Sequence, residues 1–264
     1  MGHLQDLLCV RVARRPYFPR ERSPAMLKAV LFDLDGTLLP MDQGVFMKDY
    51  FGRLIRRLAP LGYTPEMFLS AMKAGITAMT VNDGSRSNEE AYWNAYTAVS
   101  GKNLREESPI LDDFYANEFD EVAAVCGFNP EAAALIHSLR ERGIRVILAT
   151  NPLFPRIATQ KRIRWAGLHP EDFEFYTTFE DMSYCKPNPD YYREVLRRAG
   201  LDAADCLMVG NDVAEDMMAW AKVGLRGFLL TDCLINTPGA DVNEYPHGSF
   251  GELKAYIETL GVEE

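Results

Sequence analysis

Short apolar runs alternate along the chain with stretches whose apolar residues recur every three or four positions. Ala29-Val30-Leu31-Phe32 is continuous and closes on Asp33-Leu34-Asp35-Gly36-Thr37, the pattern of a strand buried on both faces. Similar runs at Arg145–Ala149, Phe173–Thr178, Cys206–Val209 and Gly227–Leu230 predict four more strands. Helical segments lie between them. Asn129-Pro130-Glu131 supplies an N-cap, a proline in the first turn and an acid at the positive end of the helix dipole. Gly143-Ile144, Gly167-Leu168, Gly200-Leu201 and Gly224-Leu225 each pair a glycine with an apolar residue, as a Schellman ending requires. Strands alternating with such helices predict an α/β fold built on a mostly parallel sheet.

Residues 41–125 break this rhythm, with no convincing strand. Phe46, Met47, Tyr50, Phe51, Leu54, Ile55 and Leu58 fall on one helical face opposite Lys48, Arg53, Arg56 and Arg57. Thr64-Pro65-Glu66, Ser87-Asn88-Glu89-Glu90 and Ser108-Pro109 start three further helices, and Gly101 ends the second of these. The expected organisation is an α/β core over 26–40 and 126–264 interrupted by a helical module at 41–125. Residues 1–25, with five arginines and three prolines, read as a poorly ordered extension.

The chain has 264 residues, 47% apolar and 25% charged, which excludes disordered and fibrous classes. A net charge of −10 argues against a nucleic-acid polymer or an anionic membrane as partner. Five scattered cysteines without a C-x-x-C point to a reducing compartment. The four histidines have no zinc spacing, and no apolar run reaches the ~20 residues of a membrane span. The expected location is the cytoplasm.

The chemistry concentrates where strands end. Asp33 and Asp35, at i and i+2 of an extended chain, address one point, while Leu34 faces away. Ligands of parallel α/β sheets bind beyond the carboxyl ends of the strands. Two acids so placed repel unless a cation or a shared proton intervenes.

Asp33-Leu34-Asp35-Gly36-Thr37-Leu38 resembles the first motif of the haloacid dehalogenase superfamily of phosphohydrolases, and three further motifs follow in order. Thr150 stands directly after the strand Val146–Ala149, Lys186 lies in Cys185-Lys186-Pro187-Asn188-Pro189, and Val209-Gly210-Asn211-Asp212 precedes Asp216. The resemblance implies a Rossmann-like, three-layer αβα core carrying an inserted all-α cap. It implies Asp33 as nucleophile, Asp35 as general acid and base, and Thr150, Asn151 and Lys186 as phosphate-binding groups. It also implies Mg²⁺, held by the Asp33 side chain, the Asp35 carbonyl and a fourth-motif acid. Many relatives carry that acid directly after the glycine, where Asn211 stands here. Asp212 is the expected ligand, with Asn211 and Asp216 as alternates or as supporting residues.

The function so implied is Mg²⁺-dependent hydrolysis of a small phosphorylated metabolite, the alternatives being a phosphomutase or a non-catalytic binding protein on the same fold. Oligomeric state is open. In the cap, Met67, Met72 and Met79 are expected to pack a helical core, and Asn82, Asp83, Arg86, Tyr92 and Trp93 to be packing or surface residues. Arg156, Lys161, Arg162 and Arg164 are expected to form a solvated helix face.

Overall fold

The computed structural model of the protein describes residues 26–105 and 108–261; the expectation for residues 1–25 lies outside them. Strand β1 (Ala29–Phe32) leads into the helices α1 (Gln43–Leu58), α2 (Pro65–Thr80), α3 (Asn88–Ser100) and α4 (Ser108–Ala116). The core then resumes with α5 (Pro130–Glu141), β2 (Arg145–Leu148), α6 (Arg156–Trp165), α7 (Pro189–Ala199) and β3 (Cys206–Gly210). A π-helical turn, Val213–Met217, runs into α8 (Met218–Ala221), followed by β4 (Arg226–Leu230), β5 (His247–Gly248) and α9 (Phe250–Thr259).

The five strands form one parallel sheet in the order β2-β1-β3-β4-β5. Alternation along β1 sorts its side chains onto two faces. Val30 and Phe32 join Val146, Leu207 and Val209 in a core that continues into α5, α9 and the inserted helices. Ala29 and Leu31 join Ile147 and Met208 under Tyr191, Tyr192 and Val195 of α7. With helices on both faces, the molecule is a Rossmann-like αβα core.

Local chemistry sets the element ends. Thr64, Ser87 and Asn129 accept hydrogen bonds from the backbone N–H groups of Met67, Glu90 and Glu131. At all four glycine–apolar pairs the apolar residue's N–H returns to the helix. Ile144, Leu168, Leu201 and Leu225 donate to the carbonyls of Leu139, Ile163, Leu196 and Trp220 at 2.9, 3.2, 3.0 and 3.4 Å, the Schellman bond.

One strand expectation is corrected and one unexpected strand is found. Phe173–Thr178 runs beside β2 with a single bridge, Leu148 to Tyr176, and forms no regular strand. Its bonds to Val146 and Leu148 lie on the outer edge of the sheet. The fifth strand is instead β5, two residues long and lacking an apolar run. Among its described residues, the segment from 41 to 125 consists of helices joined by turns and loops with no regular strand; at its entry and exit Met41 bridges Cys126 antiparallel and Gly127 N–H donates to Pro40 at 2.7 Å. The two connections between the helical insert and the core therefore lie side by side.

Candidate active site

Sheet register brings the motifs together. Phe32 pairs with Leu148 on one side and Val209 on the other, so Asp33, Ala149-Thr150 and Gly210-Asn211 leave the sheet at one edge. Asp33 N–H still donates to Val209 at 2.9 Å, which holds its Cα in the ladder. Gly36 then turns the chain with φ 86°, and a Cβ there would collide with the Asn211 amide.

Lys186 is the hub. Only 1% exposed, its Nζ reaches Asp33 Oδ1 at 2.9 Å and Asp216 Oδ1 at 2.7 Å. Burial by itself would lower its pKa, but Asp216 and Asp33 hold it well above the ordinary lysine value, so the ammonium stays charged. Asp216, also 1% exposed, accepts on Oδ2 from the N–H groups of Asn211 and Asp212, both at 3.1 Å. Gly210 makes room for it, since a Cβ there would overlap the Asp216 carboxylate. Asp216 thus orients Lys186 and shapes the loop after β3.

The neighbouring acids are short of positive charge. Burial pushes Asp33 up to about 7, opposed by Lys186 and reinforced by Asp216 and Asp35. Burial, against Lys186 and with Asp216 and Asp212, pushes Glu215 up to about 8. Asp212 is raised as well, again chiefly by burial; its Oδ1 caps the following turn by accepting from Ala214 and Glu215 N–H.

Asn211 is committed elsewhere. Its Nδ2 donates to Cys233 O at 2.7 Å and its Oδ1 accepts from Thr37 at 3.1 Å, so it fastens the first motif's turn to the 231–236 loop. Asn151 donates to Glu215 Oε2 at 2.9 Å, while its own Oδ1 is buried without a partner. The Thr150 carbonyl accepts from Thr177 and Tyr191 at 2.6 and 2.8 Å.

The donors suit a hard divalent cation. Mg²⁺ favours one or two carboxylates, with water and substrate oxygens completing an octahedron. Asp33 and Asp212 each give one oxygen to protein donors and keep a second. Among the described residues, no group of three His, Cys, Asp or Glu side chains forms a ready-made metal cage. Two carboxylates with a backbone carbonyl remain compatible with a site completed by substrate and water.

Arg162 overturns an expectation. Rather than lining a solvated face, it has no exposed surface, pairs through Nη1 with Asp35 Oδ2 and lies 4.1 Å over the Phe154 ring. The other Asp35 oxygen, Oδ1, is buried without a partner. Spacing held the missed signal: Arg162 falls four residues after Ala158 and three after Thr159, on the inward face of α6. Of its neighbours, Arg156 and Arg164 are exposed, while Lys161 pairs with Asp120 and the Ala116 carbonyl of the insert.

Beyond Asp35, Asn151 and Glu215 opens a cavity of about 920 Å³ between the insert and the core. Met79 is fully buried and Met67 partly, as core packing predicts; Met72, also buried, has a side at the cavity. Tyr92 and Trp93 line the cavity, whereas Asn82, Asp83 and Arg86 do not.

This chain belongs to the haloacid dehalogenase-like hydrolase family, whose model matches residues 27–224. It is 26% identical over 207 residues to a glyceraldehyde 3-phosphate phosphatase of Methanothermobacter thermautotrophicus, covering 78% of this chain and 86% of that one. It is 27% identical over 246 residues to a ribulose-1,5-bisphosphate 5-phosphatase of Halopiger xanaduensis, covering 89% and 97%. The fold is shared with a haloacid dehalogenase-type phosphatase from Thermococcus onnurineus, with TM-score 0.56, 19% identity and coverage of 88% and 98%.

Proposed function

We propose that this enzyme, a phosphatase of its family, hydrolyses a phosphorylated small molecule with Mg²⁺ through an aspartyl-phosphate on Asp33. One observation carries the reading: a fully buried lysine bridges Asp33 and Asp216 at the carboxyl edge of a parallel sheet, with Asp35 facing the cavity beyond. A phosphoryl group needs a nucleophile, cationic stabilisation and a proton donor for the leaving oxygen, and these residues offer all three. In the proposed division, residues 41–125 act as a cap over the core of 26–40 and 126–264. The proposed setting is the cytoplasm, with neither a membrane nor a nucleic acid as partner; among the described residues no helix is long and apolar enough to cross a membrane.

The Asp33 carboxylate attacks phosphorus in line with the departing alkoxide while Lys186 stabilises the charge on the phosphoryl oxygens. Thr150 and the N–H of Asn151 are the proposed phosphate donors. Asp35, held by Arg162, gives its proton to the leaving oxygen. It then takes one from the water that cleaves the aspartyl-phosphate, regenerating both acids. Asp33, Asp212 and the Asp35 carbonyl would hold Mg²⁺, which supplies neutralising charge at the transferring group. Asp216 and Asn211 position their neighbours.

The test is phosphate release from a panel of phosphomonoesters with saturating Mg²⁺, and its loss in EDTA. Release also separates hydrolysis from a phosphomutase, which would isomerise its substrate without freeing phosphate. Asp33→Asn keeps an acceptor for Lys186. It is expected to lower turnover about 10³-fold or more with Tm nearly unchanged. Failure of the whole panel with Mg²⁺ present, or full activity in the variant, would sink the reading.

A further inference from the structure

The cavity above the carboxylates is built for something other than a sugar. At about 920 Å³ it lies near the upper end of small-ligand pockets, roughly 300–1,000 Å³. Its wall is aromatic and aliphatic, with Phe46, Tyr50, Phe68 and Leu54 from α1 and α2, Trp93 from α3 and Phe154 from the core.

Polar groups along the aromatic wall already have protein partners, and the unpartnered Asp35 Oδ1, Asn151 Oδ1 and Glu180 Oε2 belong to the few acceptors elsewhere in the lining. Tyr50 and Tyr115 hydroxyls pair at 2.6 Å, and Tyr92 donates to Met72 Sδ at 2.6 Å. Gln160 donates to Tyr176 at 2.6 Å. Of the charged lining residues, Arg105, Asp112 and Arg156 are exposed and belong to the mouth, Glu89 pairs with Arg105, and Asp35, Glu180 and Glu215 are half-buried. A polyhydroxylated leaving group would surrender its water here and find few free partners, an unfavourable exchange. An apolar group would gain the hydrophobic term over most of its surface.

We propose, resting on the phosphatase reading above, that the preferred substrate is a phosphomonoester with a bulky apolar leaving group, aromatic or long-chain. The phosphate sits at Asp33, Asn151 and Lys186, and the apolar group fills the space between α1, α2 and α3. This differs in class from the triose and pentose phosphates for which the two relatives are named.

Primary alkyl phosphates test it, because their leaving alcohols differ little in acidity. Octyl phosphate and 2-(2-naphthyl)ethyl phosphate are compared with ethyl phosphate and glycerol 3-phosphate. Each buried methylene contributes roughly 3- to 4-fold, so kcat/KM for the bulky esters should exceed that for the small ones at least about 100-fold. Ile76→Trp, which fills part of the cavity from α2, should lower the octyl-to-ethyl ratio at least about tenfold.

Calorimetric titration of the unaltered protein with 2-(2-naphthyl)ethanol, which carries no phosphate, gives a readout independent of catalysis. Binding with a negative heat-capacity change is expected. Hydrolysis without preference, or in favour of glycerol 3-phosphate, overturns the substrate class and leaves the phosphatase standing. Binding of the alcohol with no ester hydrolysed overturns the phosphatase reading and keeps the apolar assignment. Absence of both binding and hydrolysis overturns both.

Discussion

A guanidinium without solvent must find a carboxylate and further acceptors within reach, because an unpaired buried charge costs several kcal/mol. Arg162 meets that demand with Asp35, with the Ala158 carbonyl at 3.4 Å, with Thr159 at 3.3 Å and with the Phe154 ring. The arrangement fixes one Asp35 oxygen and, in the proposed mechanism, leaves the unpartnered one for the leaving group. Arg162 is therefore a positioning residue, and its loss should act on kcat rather than on KM. Arg162→Met is expected to lower kcat about 10²-fold with KM within a factor of three. Arg162→Lys should recover part of the loss, because a cation again faces Asp35. Equal losses in both variants, or a loss confined to KM, would make the contact structural only. The proposed phosphate-binding residues were legible because each lies in a recognisable motif. Arg162 was not, since four basic residues within nine positions read as an exposed face, and only burial distinguishes the one that turns inward.

At the scale of elements, the decisive contact joins the start of α3 to the loop that carries Lys186. Asn88 is fully buried; its side chain donates to the Tyr184 carbonyl and Cys185 Sγ, both at 3.2 Å, and accepts from Asn82 at 3.0 Å. Its N–H and that of Glu89 donate to Met182 and Phe179, each at 2.8 Å. Helix α3 also carries Tyr92 and Trp93 to the cavity, so one seam sets both the lysine loop and part of the pocket wall. Asn88→Ala strands a buried carbonyl and amide, costing about 1–3 kcal/mol. That corresponds to a Tm lower by roughly 2–4 °C per kcal/mol. Calorimetry with parallel kinetics should find that drop together with a raised KM; an unchanged Tm would mean the seam is held elsewhere. Ser87 was readable as a cap, but a contact reaching from residue 88 to residue 185 is tertiary and leaves no periodic trace. The same reason explains the strands. Phe173–Thr178 has the composition of a strand but makes only one isolated bridge to β2, and β5 pairs along β4 without a run that marks it.

For the whole molecule, charge and topology meet at one edge of the sheet. Residues 26–264 carry 23 basic and 36 acidic side chains, and Asp33, Asp212, Glu215 and Asp216 crowd around a single buried lysine. The α/β order was legible because parallel strands in register turn widely spaced motifs into neighbours. The apolar cavity was not, because its wall is assembled from residues scattered between Phe46 and Phe179, each of which reads as ordinary core on its own helix. Even with Lys186 and the Arg162 paired to Asp35, carboxylates outnumber cations at this edge, so a divalent cation should stabilise the fold by binding the native state alone. At a Mg²⁺ concentration 100 times the dissociation constant, linkage gives about 2.7 kcal/mol, a rise in Tm of roughly 5–10 °C for a chain of this size. Differential scanning calorimetry in MgCl₂ against KCl at matched ionic strength separates this from screening of the net charge, which both salts provide. Asp212→Asn should remove most of the Mg²⁺-specific rise while leaving the KCl curve in place. Equal shifts in the two salts would locate the effect in general screening, and the carboxylates would then have to share protons rather than a metal.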